Sequence, residues 1–567
     1  MTMNTKEEHL VADILVVGSG IAGLAAAIAA KDANPNAEVL VVDKCVPGKG
    51  GKANKGGGNL AFLAPEDDVE KFMRFRVEKV GCYLEDQAVL REFITSAHGI
   101  LGRSETWGVT VYHEPDGSFT YVRWAEDMPW RMALCEQDVT EQMQRHARQQ
   151  GTKFLDHISI VDLLKDGERV AGAYGFSVLD GTAYTIQSKT VILANGNQNY
   201  RLMRRWASGR GDGIAAAYRA GAEMRNAEFG SFHNWVFADT KEVCQGAEDC
   251  LYNAKGEHIT KAIRPAIEAD LHPKEIVAWW KEIKAGNGPV RANMAENYIS
   301  NVTSQMFHTD SKVKRPLTTA FWSRTISKAM AGSKHPGPMQ EVHPGFIGEQ
   351  SPVKVDPKMA TTIPGLFAAG DLCASGSGWS GAVPAPPGRL RGGGLMFALW
   401  SGLKSGESAA KDAAAARAPQ LNAAEVAAIK QRVFAPLEAK DGVEPMELVR
   451  AIQTVMAPIG NTTCKSEERL KAALEKILEI AKRLPNLKAK DWHYLAACNE
   501  VRSMVLCAEM FFRASLERKE TRGWHIREDY PERDDRNLRK WFTLKDVNGK
   551  MTVASEPLPL PPGAISP

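Results

Sequence analysis

Residues 14–43 read ILVVGSGIAGLAAAIAAKDANPNAEVLVVD, and this stretch decides the fold. Ile14 to Val17 is a short apolar run of the kind that forms a buried strand. Gly18-Ser19-Gly20-Ile21-Ala22-Gly23 is a tight turn leading into an Ala-rich helix expected over Ile21 to Lys31. A second apolar run, Glu38 to Val42, ends in Asp43, about 20 residues beyond the last glycine, the spacing of a dinucleotide-binding βαβ unit. Each glycine has a physical task. A side chain at Gly18 would block the turn, one at Gly20 would hold a pyrophosphate away, and one at Gly23 would push helix from strand. The helix N-terminus then offers N–H groups and partial positive charge to phosphates, and Asp43, followed by Lys44, can accept from ribose hydroxyls. The run from Ile14 to Ala30 is apolar enough to suggest a membrane span. It is slightly short for one, is broken by Gly-Ser-Gly, and follows the acidic Glu7-Glu8.

Working outward, 567 residues exceed one hydrophobic core, so several domains are expected. An apolar content of 44% with 25% charged residues is that of a soluble globular chain, and a net charge of +3 gives no case for nucleic acid or an acidic membrane surface. The nine cysteines include no CxxC pair, which argues against zinc or an iron–sulfur cluster held by this chain and suits a reducing compartment. A cytoplasmic protein without a signal segment or direct membrane insertion is expected.

The glycine-rich run Lys49 to Asn59 cannot form a helix interior or a central strand, and its place after the nucleotide unit suggests a loop where backbone approaches a ligand. Residues 70–113 look helical. Residues 154–193 alternate as short strands, with turns at Asp166-Gly167 and Asp180-Gly181, and end in Thr190-Val191-Ile192-Leu193-Ala194-Asn195-Gly196. Gly211-Asp212-Gly213 opens a helix over Ile214 to Ala220. Residues 237–337 are polar and irregular and read as an insertion. Pro364-Gly365-Leu366-Phe367-Ala368-Ala369-Gly370-Asp371 returns to the strand-plus-glycine pattern. Gly376 to Gly381 also fits GxGxxG, but three prolines over 384–387 cannot open a helix, so one Rossmann-type unit is expected. Gly392-Gly393-Gly394 leads into a helix from Leu395 to Leu403, Ser408 to Ala424 reads as a linker, and two long helices follow, one begun by Ser466 and one from Trp492 to Lys519. The tail from Pro557 is proline-rich and extended.

The order of these pieces resembles the flavoprotein subunit of the succinate dehydrogenase and fumarate reductase family, which also holds aspartate oxidase and the adenylylsulfate reductase flavoprotein. The resemblance rests on GSGIAG at 18–23, GGGN at 56–59, VILANG at 191–196, GRGDGIAAAYRAGAEMRNAEFGSFH at 209–233, PGLFAAGD at 364–371, the arginine–glycine run at 389–394 and ETRGWHIREDYPERDD at 520–535. It implies an α/β fold: a Rossmann-type FAD-binding domain (1–236 and 338–410), an inserted α+β capping domain (237–337) and a C-terminal helical domain with an extended tail (411–567). By position, Gly18, Gly20, Ala22, Gly23, Asp43 and Lys44 would hold the ADP half of FAD. Gly57, Gly58, Asn59, Ala194, Asn195, Gly196, Asp212, Gly370, Asp371, Gly394 and Leu395 would line the rest. His233, His343 and Arg389 would bind a dicarboxylate substrate, and Arg324 would deliver the proton.

Three departures matter. Respiratory family members carry a histidine that bonds covalently to FAD; the matching position here is Gly50, so noncovalent FAD and the reductive direction are expected. The family's His-Pro-Thr is His233-Asn234-Trp235, and the loop from Asp371 to Arg389 is longer and carries Trp379. Both changes suit a larger or more apolar substrate than fumarate. The resemblance thus implies hydride exchange between flavin N5 and an activated C=C bond of an unsaturated carboxylate or related carbonyl compound, fed by an iron–sulfur or ferredoxin-like partner. Two alternatives stand beside it: sulfur chemistry at flavin N5, as in adenylylsulfate reductase, and a flavin electron-transfer subunit that serves a partner's site.

Overall fold

The computed structural model describes residues 6–53, 58–123, 129–203, 209–230, 232–244, 247, 250–260, 273–296, 315–320, 337–348, 350–373 and 393–567. The opening stretch forms β1 (Glu7–Val17), α1 (Ile21–Ala33) and β2 (Val39–Val42). The same sheet takes in β3 (Lys153–Leu155), β4 (Ile158–Asp166), β5 (Arg169–Ser177), β6 (Ala183–Leu193) and β7 (Leu366–Ala368). Its order is β3-β2-β1-β6-β5-β4, with β7 also on β6. β1 runs parallel to β2 on one side and to β6 on the other, with Val17 opposite both Val42 and Leu193. One edge of β6 serves two neighbours: antiparallel β5 takes Ala183 to Gln187 and parallel β7 takes Val191 to Leu193. The carboxyl ends of β1, β6 and β7 therefore meet at one edge of the sheet, where the chain reverses direction about β1. Open α/β sheets bind ligands at such switch points.

α2 (Asp212–Arg219) opens after Gly211, whose φ of +73° is left-handed. α3 (Gly393–Ala415) is longer than the sequence suggested and overturns the linker expected from Ser408. The reason is α1. A Cβ at Gly402 would lie 2.3 Å from the Ala22 carbonyl, and one at Gly406 2.1 Å from that of Ala26. The two glycines are one helical turn apart on one face, so α1 and α3 touch backbone to backbone. Ala409, Ala410 and Ala413 continue the contact into a cluster with Ala26, Ala30, Ile14 and Val39. Small alanines that look like linker composition are the side chains this close crossing needs.

A four-stranded antiparallel sheet stands apart from the first. Its strands run in the order Phe232–Phe237, Met339–Gly348, Arg291–Asn293, Leu251–Tyr252, beside the helix Pro273–Lys284. Strands from both sides of 237–337 thus join this sheet; Pro344 and Gly345 interrupt the alternation that would have marked the strand Met339–Gly348. Trp280 Nε1 and Lys284 Nζ, from the helix, donate to Glu528 at 3.1 and 2.7 Å and fasten this unit to the C-terminal region.

α4 (Glu467–Arg483) and α5 (Trp492–Glu517) are each capped at the N-terminus, by Ser466 and Asp491. The segment after α5 folds into a buried ionic knot. Arg518 pairs with Glu228 (2.7 Å) and Glu520 (2.8 Å), and Arg522 with Glu520 (2.7 Å) and Asp535 (2.9 Å). Both guanidiniums are buried, and Glu520 accepts from both of them, close pairing being the condition under which buried charges are tolerated. A hairpin, Lys540–Val547 with Lys550–Pro557, follows, and the tail returns to Gln87, which exchanges two 2.8 Å hydrogen bonds with Ile565.

The α1–α3 crossing is directly testable. Gly406→Val should lower unfolding stability by about 1–3 kcal/mol or more, the cost of overpacking, read as a lower urea midpoint; an unchanged midpoint would show that the helices do not touch there.

Candidate functional site

The glycine turn is built for an anion. Gly18 has φ +104°, and a Cβ there would meet the Ala194 carbonyl at 2.6 Å. A Cβ on Gly23 would lie 1.9 Å from the Gly18 carbonyl. Gly20, the N-cap of α1, differs: a Cβ there meets nothing within 4 Å. Its missing side chain leaves open space over the first turn, which carries no acidic residue and no side-chain cap. Gly370 (φ +68°) closes in from the end of β7, with a would-be Cβ 2.8 Å from that of Ala22. Gly370 also donates its N–H to Ser401 Oγ of α3 at 2.9 Å. Gly18, Ala22, Gly23, Ala194 and Gly370 are thus in one place; Gly394 and Leu395 are partly exposed in the first turn of α3.

Asp43 has a second task beyond the one expected. Its Oδ2 accepts from the Ser19 N–H (2.6 Å) and Oγ (2.7 Å), and Oδ1 from the Cys45 N–H (2.7 Å). It therefore ties the end of β2 to the glycine turn. A carboxylate has about four acceptor positions, so one on Oδ1 stays open for a hydroxyl. Gly50 lies against this same group, its would-be Cβ 3.5 Å from Asp43 Oδ1. Gly196 (φ +79°) faces open space, and Asn195 sits against the first turn of α2 with its buried Oδ1 lacking a partner among the described residues. Asp371 lies 3.7 Å from Lys52 Nζ and accepts from Asn197 Nδ2 at 3.4 Å.

Arg315 was not singled out by the sequence. Its guanidinium donates to the Gly58 carbonyl (3.3 Å), to Asn59 Oδ1 (3.4 Å) and to the Cys135 carbonyl. Three residues on, the Thr318 N–H and Oγ1 both donate to Glu136 Oε2 at 3.1 Å. The inserted segment is thereby fixed to Gly58 and Asn59 of the glycine-rich loop. No motif in the sequence marks a lone arginine ahead of a helix, so it was not legible.

His233 and His343 lie on neighbouring antiparallel strands but not opposite one another: His233 faces Phe346, and His343 faces Val236. His233 is buried. Its ring packs against Trp524 and Phe346, with centroids at 6.0 and 5.1 Å, and Nδ1 lies 3.3 Å from Thr463 Oγ1. His343 is half-buried. Its Nδ1 lies 3.1 Å from the Pro344 carbonyl, and its Nε2 is 2.7 Å from Lys241 Nζ. A carbonyl only accepts, so Nδ1 carries the proton and Nε2 accepts from the ammonium. Burial, with the Lys241 charge, holds the imidazole below its ordinary pKa. Lys241, another residue the sequence did not mark, has φ +60° and also donates to the Ala238 carbonyl at 2.7 Å. Strained backbone of this kind costs of order 1 kcal/mol and concentrates at functional sites. Gly57, Arg324 and Arg389 lie outside the described residues.

A family profile described as FAD binding domain matches residues 13–385, and one described as Fumarate reductase flavoprotein C-term matches residues 450–564. The chain belongs to the succinate dehydrogenase/fumarate reductase flavoprotein family. As a member it is an FAD-dependent oxidoreductase. A fumarate reductase flavoprotein subunit of Haemophilus influenzae is 27% identical, over 96% of this chain and 94% of the relative. Among solved structures, an Escherichia coli quinol fumarate reductase chain superposes with a TM-score of 0.82 at 22% identity, over 98% of each chain. The adenylylsulfate reductase of Archaeoglobus fulgidus does so with 0.77 at 21%, over 98% of this chain and 97% of that one. The described residues fit the flavoprotein family's FAD: the open space over Gly20, the first turn of α1 without a side-chain cap, and the Asn195 Oδ1 unpartnered among the described residues are what a dinucleotide needs.

Two outcomes check this geometry. Gly20→Ala should leave the urea midpoint of the flavin-stripped protein unchanged and weaken FAD at least about tenfold, a loss of ~1.4 kcal/mol; equal affinity would mean that no phosphate lies over α1. Lys241→Met should raise the His343 pKa, followed by the imidazole resonances in an NMR titration; an unchanged titration would show that the pair does not interact.

Proposed function

We propose that the chain reduces an activated C=C bond of an unsaturated carboxylate or related carbonyl compound. The observation that carries this reading is the agreement, end to end, with relatives named fumarate reductase flavoprotein subunits. Bound FAD supplies the two-electron chemistry, a hydride delivered to one carbon of the double bond. Arg389 would grip the substrate carboxylate. The neutral His343, with the Lys241 ammonium held beside it, would place positive charge where negative charge develops. Arg324 would give a proton to the adjacent carbon, and a water or carboxylate relay must resupply it, because a free guanidinium holds its proton to above pH 12. His233, enclosed by Trp524 and Phe346, would fix the strand that carries it against the C-terminal segment. Gly18, Gly20, Gly23 and Asp43 would seat the ADP half of the cofactor, and Gly58, Asn59, Gly370, Gly394 and Leu395 the flavin half.

FAD is held noncovalently in this reading, since no histidine occurs between His9 and His98. Without the covalent link the reductive direction is favoured. Electrons would come from an iron–sulfur protein, as expected for a chain whose relatives are named as subunits. Among the described residues no helix is long and apolar enough to cross a membrane. None of the nine cysteines is paired in a disulfide, which suits a reducing compartment, and we place the protein in the cytoplasm.

Acid precipitation should release all of the flavin into the supernatant; flavin fluorescence retained on the denatured chain would contradict noncovalent binding. Anaerobic photoreduction followed by mixing with enoates, fumarate among them, should reoxidise the flavin. Absence of reoxidation with every enoate contradicts the reading. AMP-dependent bleaching by sulfite would replace it with sulfur chemistry, and full turnover of an assembled complex carrying Arg389→Ala would replace it with electron relay.

A further inference from the structure

The edge of the sheet where β2 ends meets a third element, from the far end of the chain. Lys44 Nζ donates to Asp212 Oδ2 at 2.8 Å and to Glu500 Oε1 at 3.0 Å. The other oxygen of Glu500 accepts from Arg210 Nε at 3.2 Å, with Arg201 Nη1 3.9 Å away. Glu500 belongs to α5, and its side chain is only 15% exposed. Burial would raise its pKa, but Lys44 and Arg210 hold it below the ordinary carboxylate value; burial would lower that of Lys44, but Asp212 and Glu500 raise it. Both groups are therefore charged at neutral pH. The same helix closes on Gly211, where an added Cβ would lie 2.8 Å from Cys507 Sγ.

The positions of the partners give this cluster its meaning. Lys44 follows Asp43 at the carboxyl end of β2, where a Rossmann unit places the adenosine half of a dinucleotide. Asp212 opens α2 beside Asn195, at the end of β6. A flexible lysine in a cleft loses side-chain entropy when a ligand orders it, and a carboxylate that fixes it beforehand removes that cost. Glu500 does so from outside the nucleotide unit.

We propose that Glu500 makes the C-terminal helical region one wall of the FAD site: it sets Lys44 against Asp212 for the adenosine half of the cofactor, so that FAD occupancy and the docking of α5 on the nucleotide unit are coupled. This rests on the assignment of Lys44 and Asp212 to the cofactor and not on the identity of the substrate. Coupling of this kind is reciprocal: what helps FAD bind is what FAD holds in place. Glu500 is a positioning residue, acting through Lys44 and Arg210.

The test uses the full-length chain stripped of flavin, with FAD and ADP as probes. Glu500→Gln should raise the Kd for both by the same factor, about tenfold, within the range of typical coupling. Lys44→Met should do likewise, and the double variant should be no worse than either single one. ADP should slow amide hydrogen exchange over 495–505 in the natural chain and not in Glu500→Gln. Unchanged affinities beside a lowered urea midpoint would overturn the proposal and leave an ion pair that serves the fold alone. If Glu500→Gln does not accumulate, exchange in the natural chain decides: protection of α5 by ADP supports the coupling, and identical exchange with and without ADP overturns it.

Discussion

The N-terminus of α1 meets a space that no side chain among the described residues enters within 4 Å of Gly20's would-be Cβ, and much of the nucleotide unit is arranged to keep it so. Gly20 caps the helix without a side chain, Gly18 turns the chain where a Cβ would strike Ala194, and Gly23 lets the first turn lie on the strand. The free N–H groups there, with the helix dipole behind them, are a fixed positive end worth about half an elementary charge. A diphosphate is the ligand such an end suits. β1, β6 and β7 deliver their carboxyl ends to it, and α3 crosses α1 so closely that two glycines are required at the contact.

The distant parts of the chain converge on this point by different physical means. The inserted unit is fixed through Arg315, which donates to Gly58, Asn59 and Cys135, and through Glu528, which receives Trp280 and Lys284. The C-terminal region is fixed through Glu500 and through the buried arginines at 518 and 522. In those knots the charges are paired closely and multiply bonded. Removing one partner would strand a buried charge, a loss of about 3–5 kcal/mol. The segment 520–535 carried the resemblance most strongly, yet its arginines are occupied by carboxylates within the fold. Its Glu520 holds Arg518, which in turn donates to Glu228 and to the Lys540 carbonyl at the start of the C-terminal hairpin.

Much of the nucleotide unit was legible in the sequence because glycine has few substitutes at positions with left-handed φ or close backbone approach. The turns at Gly167 and Gly181 and the helix starts at Ser466 and Asp491 follow equally local rules. Composition misled where packing overrode it: Ala409 to Ala413 looked like a linker and is the inner face of a helix. The strand through His343 was missed as part of the inserted sheet because Pro344 and Gly345 break its alternation. Lys241, Arg315 and Glu500 were illegible for a common reason. Each acts through a partner 100 or more residues away, at His343, Cys135 and Lys44, and no local pattern records such a contact.

The most direct test of the account compares nucleotides on the flavin-stripped protein by equilibrium titration. If the helix end grips a diphosphate, FAD binds at one per chain and much more tightly than FMN, which has a single phosphate and no adenosine. FMN binding as tightly as FAD, or a folded protein that stays colourless with both, would contradict it.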